Sequence, residues 1–414
     1  MYDQLYSPYS IIGAFLIGLA LAYFITPLFR LIAIKLNFLD HPQFKKKSHI
    51  KPIPLLGGLA IIFSFVVSVM LTTRFEKVLL PIFLGTSVLL IFGLVDDKLG
   101  MMPRVKLTSQ FIAALVIIRM GIRVDTIPYY YLSLIFTLLW IIGITNAFNL
   151  LDNLNGLSSG IAGISALFFG IIAWINAEMF VAALSFALAG SCFGFLKHNF
   201  PRAHIFMGDT GSMFLGFILA CIALVGCWET ERISVSISVP ILILAYPIFD
   251  TALVTIIRII EKRSIFQGGK DHSSHILSIL RFVRNRNRAV LIIFFICIIT
   301  GIFACAMSIS NIYVGFGIMV MAYGFLFWLF LSLLFVRLSI FKKEILHLNR
   351  KKVLGIVIFA FAFLAISLCI MSVSNAYLGI TIMLMLFAIF LGIFIFLFFA
   401  KFPEPKKEKK FHVK

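Results

Sequence analysis

Long apolar runs separated by short polar islands set the pattern of this 414-residue chain. A run of about 17–25 apolar residues is long enough to cross a bilayer as a helix, with every backbone polar group satisfied inside the segment. Thirteen such runs are legible, at about residues 10–34, 54–73, 78–95, 107–122, 127–145, 157–176, 178–197, 212–228, 236–258, 289–309, 312–336, 353–373 and 376–400. The fourth is short and carries Arg119. The expected fold class is therefore an all-α polytopic membrane protein of about 13 transmembrane helices.

Composition agrees. The chain is 61% apolar and 13% charged, against roughly 45–50% and about 25% in soluble domains. Its net charge of +19 is distributed as a membrane topology distributes it. With the N-terminus outside, 31 of the 36 Lys and Arg residues fall on the cytoplasmic side, as does the basic C-terminal tail. That placement argues against a nucleic-acid surface. All eight histidines fall on the same side. The six cysteines lie in or beside apolar runs with no CxxC spacing, so they read as small buried hydrophobes. The N-terminus lacks a basic n-region and its apolar run is too long for a signal peptide.

The polar islands at 40–58, 96–110, 146–160, 198–212 and 262–286 also fall on the cytoplasmic face, which is where the chemistry is expected. In Phe206-Met-Gly-Asp-Thr-Gly-Ser212, Asp209 lies between Gly208 and Gly211, before the apolar run from Met213. Thr210 and Ser212 are suited to cap a helix there. A carboxylate beside free backbone N–H groups at a helix mouth suits a divalent cation holding phosphate oxygens. Asp96-Asp97 closes the third run; paired carboxylates at a membrane boundary are costly and point to function. In Asn146–Leu157, residues Asn149, Asp152 and Asn155 recur at intervals of three and would share a face on a helical turn. Lys47 and His49 stand in the first inner loop, Lys106 beyond the acid pair, and His272 and His275 in the last island. The two histidines suit a diphosphate better than zinc, since no third ligand stands nearby. Asp250, inside the ninth run, is open between a functional and a structural reading.

The last third repeats itself: Cys305–Gly315 aligns with Cys369–Gly379, and Lys342-Lys-Glu344 with Lys406-Lys-Glu408. Neither copy has a comparable polar island. The expected organisation is a catalytic transmembrane core at 1–287, duplicated hairpins at 288–400, and a basic cytoplasmic tail at 401–414.

Taken together, the islands resemble the polyprenyl-phosphate N-acetylhexosamine-1-phosphate transferase family. The resemblance covers about residues 10–285. It rests on Gly93-Leu-Val-Asp-Asp97; Asn146-Ala-Phe-Asn149 with Asp152 and Gly156-Leu157; Phe206–Ser212; Asp271–His275; and Lys47, His49, Pro54 and Gly57-Gly58. It implies transfer of a sugar-1-phosphate, with GlcNAc-1-phosphate favoured, from a UDP-sugar to undecaprenyl phosphate, with release of UMP. Mg²⁺ is the implied cofactor and Mn²⁺ its substitute. The implied setting is a bacterial inner membrane; the oligomeric state is open, a homodimer included. By the same resemblance Asp96, Asp97 and Asp152 are the catalytic carboxylates, and Asn149 and Asp209 the metal ligands. Phe206 is the uracil-stacking ring, Asn155 a uracil-side contact, and Lys47, His49, Lys106, His272 and His275 phosphate contacts. The chain departs from the usual family pattern in Asp152-Asn-Leu-Asn-Gly156, where Asn155 replaces a carboxylate, and at Ser274, which takes a histidine position. A transporter is the rival reading; it would place charges near helix midplanes, and here they gather at helix ends.

Overall fold

A computed structural model describes residues 8–41, 51–124, 127, 129–226, 233–265, 269–280, 283, 285–310 and 312–341. Lys47, His49 and the two repeat helices expected at 353–373 and 376–400 lie outside these. Within them the chain forms thirteen helices and one two-stranded ladder: α1 Pro8–Lys35, β1 Leu39–Asp40, β2 Ile53–Pro54, α2 Gly57–Thr72, α3 Leu79–Leu99, α4 Pro103–Arg119, α5 Tyr130–Leu151, α6 Leu157–Ile175, α7 Met179–Asn199, α8 Gly208–Val225, α9 Ile233–Ile243, α10 Ala245–Ile260, α11 Ser273–Ile279, α12 Arg286–Ser308 and α13 Ile312–Phe341. Among the described residues, eight of these (α1, α3, α5, α6, α7, α8, α12 and α13) are long and apolar enough to span a membrane. The protein is multi-pass.

Ten of the eleven apolar runs that fall on described residues each become a single helix; the run at 236–258 does not. It divides into α9 and α10 at Leu244. Pro247 has no N–H, so the Ile243 carbonyl loses its helical donor, and the Ser165 hydroxyl of α6 donates to it instead at 3.1 Å. Pro27 does the same in α1: the Tyr23 carbonyl it frees accepts from His198 Nε2 at the end of α7, at 2.9 Å. In lipid a freed carbonyl needs such a neighbour.

Packing is closest around α7 and α8, which with α6 are the most enclosed spans. Lipid tails are as apolar as leucine, so close van der Waals contact, rather than exclusion of water, must hold spans together. Gly190 and Gly194 supply it on α7, where the α1 backbone at Phe15 and Leu19 leaves no room for a Cβ. Gly58 of α2 lies so close to α8 that a Cβ would stand 2.5 Å from Gly211 Cα. Ser68 joins α2 to α1 by donating to Ala14 O at 2.6 Å. Leu16, Phe24 and Leu31 on α1, and Ile135 and Leu139 on α5, remain exposed, as a lipid-facing surface requires.

Helix boundaries depart from the apolar runs at the site end. The third run continues through Leu99, so Asp96 and Asp97 are helical. α5 absorbs the Asn146–Leu151 stretch. α8 begins at Gly208, earlier than the apolar run suggests. Thr210 and Ser212 therefore lie inside it, and Met207 is its N-cap, without a side-chain cap bond.

Candidate active site

Four helix ends meet at one place. The C-terminal turn of α3 brings Asp96 and Asp97, the first turn of α4 brings Lys106, the last turn of α5 brings Asn149, and the first turn of α8 brings Asp209. Asp96 is buried; its Oδ1 accepts from Met101 N at 2.5 Å and its Oδ2 lies 2.5 Å from Lys106 Nζ. The same ammonium reaches Asp209 Oδ2 at 2.9 Å. Asn149 Nδ2 donates to Asp209 Oδ1, and also to Ser212 Oγ at 3.0 Å. Lys106 thus bridges two carboxylates drawn from helices far apart in sequence.

Asp97 does something different. Its Oδ1 accepts from Asp209 N at 2.7 Å, and its Oδ2 from Thr210 N at 3.2 Å and Thr210 Oγ1 at 2.6 Å. Both oxygens are spent on the start of α8. This corrects the expectation that the backbone N–H groups there stand free for a ligand. They hold a carboxylate, which the positive end of the helix dipole favours. Gly208 makes the approach feasible: its φ is +75°, and a Cβ would stand 2.5 Å from Asp97 Oδ2.

Asp152 and Asn155 do not share a helix face with Asn149, as the three-residue spacing suggested. α5 ends at Leu151, Asp152 is its C-cap, and the chain turns through Gly156 (φ +71°) into α6. Asp152 is exposed. Its carboxyl is pushed above the usual range by the protein crowded around it and by the nearby Asp209 and Asp97 charges. Solvent damps the first cause, so the like charges carry the direction. Asn155 is half-buried and its amide donates to Pro201 O at 3.4 Å. Phe206, also half-buried, is fixed through its backbone: its N–H donates to Pro54 O at 2.7 Å and its carbonyl accepts from Gly57 N at 2.9 Å.

The histidines lie on and beside α11. Ser274 Oγ donates to Asn153 Oδ1 at 2.8 Å, which seats this helix against the loop that carries Asp152. His272 is buried and its Nδ1 lies 2.8 Å from Asp250 Oδ2. His275 is half-buried; burial, His272, Arg286 and Lys270 hold its pKa down at about 4, so it is neutral at pH 7. Asp271 anchors the segment from below. Burial alone would raise its pKa, but Arg258 and Arg263 outweigh that and hold it below the usual carboxylate range. Its Oδ2 is 2.7 Å from Arg258 Nε and 3.1 Å from Arg263 Nη2. Asp271→Ala would leave the Arg258 guanidinium buried without its carboxylate, at a cost of about 3–5 kcal/mol. A thermal melt in detergent is expected to show a clear loss of stability; an unchanged melt would contradict this anchoring role.

One residue without a motif of its own also shapes the site. Asn199, buried at the end of α7, accepts from Gly156 N at 2.6 Å and donates to Ile205 O at 2.8 Å, joining the Asp152 loop to the Phe206 loop. A lone Asn at a helix end carries little signal of its own. Lys98, which follows the acid pair and is placed in sequence to neutralise it or bind phosphate, instead donates to Leu36 O at 2.8 Å and lies 4.5 Å from the Phe38 ring, closing the end of α1.

Comparison with known proteins bears on this geometry. The family described as glycosyl transferase family 4 matches residues 79–227, which hold Asp96, Asp97, Lys106, Asn149, Asp152 and Asp209. A probable undecaprenyl-phosphate N-acetylglucosaminyl 1-phosphate transferase of Bacillus subtilis is 34% identical over 315 residues, covering 74% of this chain and 87% of the relative. The chain belongs to glycosyl transferase family 4. Other relatives of this family 4 protein differ in named activity. A decaprenyl-phosphate N-acetylglucosaminephosphotransferase of Mycobacterium leprae is 31% identical, covering 67% of this chain and 80% of its own. A phospho-N-acetylmuramoyl-pentapeptide-transferase of Levilactobacillus brevis is 36% identical, but over only 41% of this chain and 61% of its own. The family 4 membership anticipated from the motifs therefore holds, and the protein is a transferase.

Proposed function

We propose that this protein transfers GlcNAc-1-phosphate from UDP-GlcNAc to undecaprenyl phosphate, giving undecaprenyl-diphosphate-GlcNAc and UMP. This is the first membrane step of a cell-envelope polysaccharide, carried out at the cytoplasmic face of a bacterial inner membrane. The long matches to relatives named for N-acetylglucosamine support the sugar. Another UDP-N-acetylhexosamine is the second reading, favoured only by the shorter match to a muramoyl-pentapeptide enzyme.

The observation that carries the chemistry is the charge of the site. Four carboxylates, Asp96, Asp97, Asp152 and Asp209, stand near one another, and among the described residues the ammonium that pairs with two of them is Lys106. Left so, the site would repel a diphosphate. Asp209 and Asn149 offer oxygen donors of the kind a hard divalent cation takes, and Mg²⁺ fits a site of one carboxylate and one amide whose remaining ligands are water and substrate phosphate. Among the described residues no group of three His, Cys, Asp or Glu side chains could hold a metal, so a softer, fully protein-ligated ion fits poorly. Bound there, the cation would neutralise diphosphate charge and stabilise the departing UMP.

The chain's own residues do the positioning on which phosphoryl transfer depends. Lys106 brings positive charge to the phosphate oxygens while Asp96 fixes the ammonium. Asp97 fixes the start of α8 and, through it, Asp209. Asp152, exposed at the end of α5 near Asp97 and Asp209, is suited to exchange a proton with the lipid phosphate. Phe206 offers a ring for uracil, and Asn155 an amide to its edge. Asn155→Asp, which restores the carboxylate more usual in the family, is expected to keep activity within about threefold, because either side chain can accept a hydrogen bond from a base edge. A loss of UDP-sugar binding by more than tenfold would give Asn155 another role. The reaction itself is tested with a panel of UDP-sugars and undecaprenyl phosphate in detergent, scored for UMP and lipid-linked product. UDP-GlcNAc is expected to give the fastest release; a faster rate with another UDP-N-acetylhexosamine would replace the sugar but keep the reaction.

A further inference from the structure

The buried cluster behind α11 has more order than a packing role needs. Asp250 is almost fully enclosed in α10, and each of its oxygens has a distinct partner set. Oδ2 faces His272 Nδ1 at 2.8 Å. Oδ1 accepts from Ser273 N at 2.7 Å and Ser273 Oγ at 2.5 Å. Tyr246 OH, one turn earlier on α10, lies 2.5 Å from the same Ser273 Oγ. His275, one turn along α11, stands with its ring 6.3 Å from that of His272, edge to face, and among the described residues no carboxylate pairs with it. A carboxylate on Nδ1 fixes both the ring plane and the tautomer, leaving Nε2 as the only ring nitrogen free to reach a ligand. Ser274, two residues on, is bonded to Asn153, which sets the helix that follows this ring against the loop carrying Asp152.

We propose that Asp250 is a positioning residue for the transfer: by holding His272 Nδ1 it fixes the ring so that Nε2 is the nitrogen His272 offers to the donor diphosphate. This rests on the transferase reading. Asp250 does not touch substrate; it acts through His272. The substitution Asp250→Asn is nearly isosteric and keeps an acceptor for Ser273. It would turn an amide N–H toward His272 Nδ1, which must then give up its proton and place it on Nε2.

The test uses the full-length chain in detergent with Asp250→Asn, His272→Gln and the double variant. UMP release is measured against UDP-GlcNAc concentration. Asp250→Asn and His272→Gln are each expected to lower kcat/KM by about 10- to 100-fold, with thermal melts close to wild type. The double variant should be no worse than His272→Gln alone, since both remove one function. Multiplicative losses in the double variant would overturn the proposal. A folded wild-type chain that releases no UMP would defeat the transferase reading instead. The pairing itself is then read by histidine ¹⁵N NMR. A protonated Nδ1 on His272 that is lost in Asp250→Asn supports it, and an Nε2–H tautomer already present in wild type overturns it.

Discussion

Asp209→Asn is expected to reduce UMP release at least 1,000-fold while the protein still folds and inserts. Asp209 is the point where the site's three polar arms meet: Lys106 on one oxygen, Asn149 on the other, and Asp97 beneath its backbone. The substitution preserves shape, so packing of the first turn of α8 should survive. It removes one negative charge from a cation site built on very few carboxylates. It also sets an amide N–H against either the Lys106 ammonium or the Asn149 amide, all of them donors. The loss should appear mainly in kcat and should not be restored by raising Mg²⁺ to tens of millimolar. A variant with wild-type turnover would remove Asp209 from the centre of the site.

Gly208→Ala is expected to be nearly as damaging by a different route. Gly208 has φ +75°, a backbone state that costs an L-residue about 1 kcal/mol or more. The added methyl would also stand 2.5 Å from Asp97 Oδ2 and 2.7 Å from Oδ1. Both oxygens are held by hydrogen bonds to the start of α8, so making room for the methyl means giving up those bonds or moving α8 off α3. The three hydrogen bonds to Asp97 would break and Asp209 would shift with its helix. A displacement of about 1 Å at a positioned group can cost 100-fold in rate. Activity is expected to fall at least 100-fold, with a lowered melting temperature. An active, equally stable Gly208→Ala protein would show that the docking of α8 on Asp97 is incidental.

These two residues also mark what the sequence could and could not reveal. Apolar run length foretold the described helices except the division at Leu244 and the short α11, because a span must satisfy its own backbone whatever surrounds it. It placed helix ends poorly: Asp96-Asp97 and Asn146–Leu151 are polar, yet helix geometry continues through them because neighbouring helices supply their partners. The islands identified Asp96, Lys106, Asn149 and Asp209, and the fold brings them together. The division of labour between Asp96 and Asp97 was not legible. Adjacent acids look alike in sequence, and only the approach of Gly208 decides that Asp97 binds backbone while Asp96 binds Lys106. The Asp250–His272 pairing was invisible for the same reason, since its partners lie twenty-two residues apart on separate helices.

If this four-helix junction performs a cation-dependent sugar-1-phosphate transfer onto a polyprenyl phosphate, both products must appear together and only with the cation. The most direct measurement follows UMP and lipid-linked sugar together, using purified full-length protein, UDP-GlcNAc and undecaprenyl phosphate. EDTA is then added, followed by Mg²⁺ in excess. We expect one UMP for each lipid-linked GlcNAc-phosphate, arrest on chelation, and recovery with Mg²⁺ or Mn²⁺. Folded protein that releases no UMP from any UDP-N-acetylhexosamine, or that turns over fully in EDTA, would contradict the account.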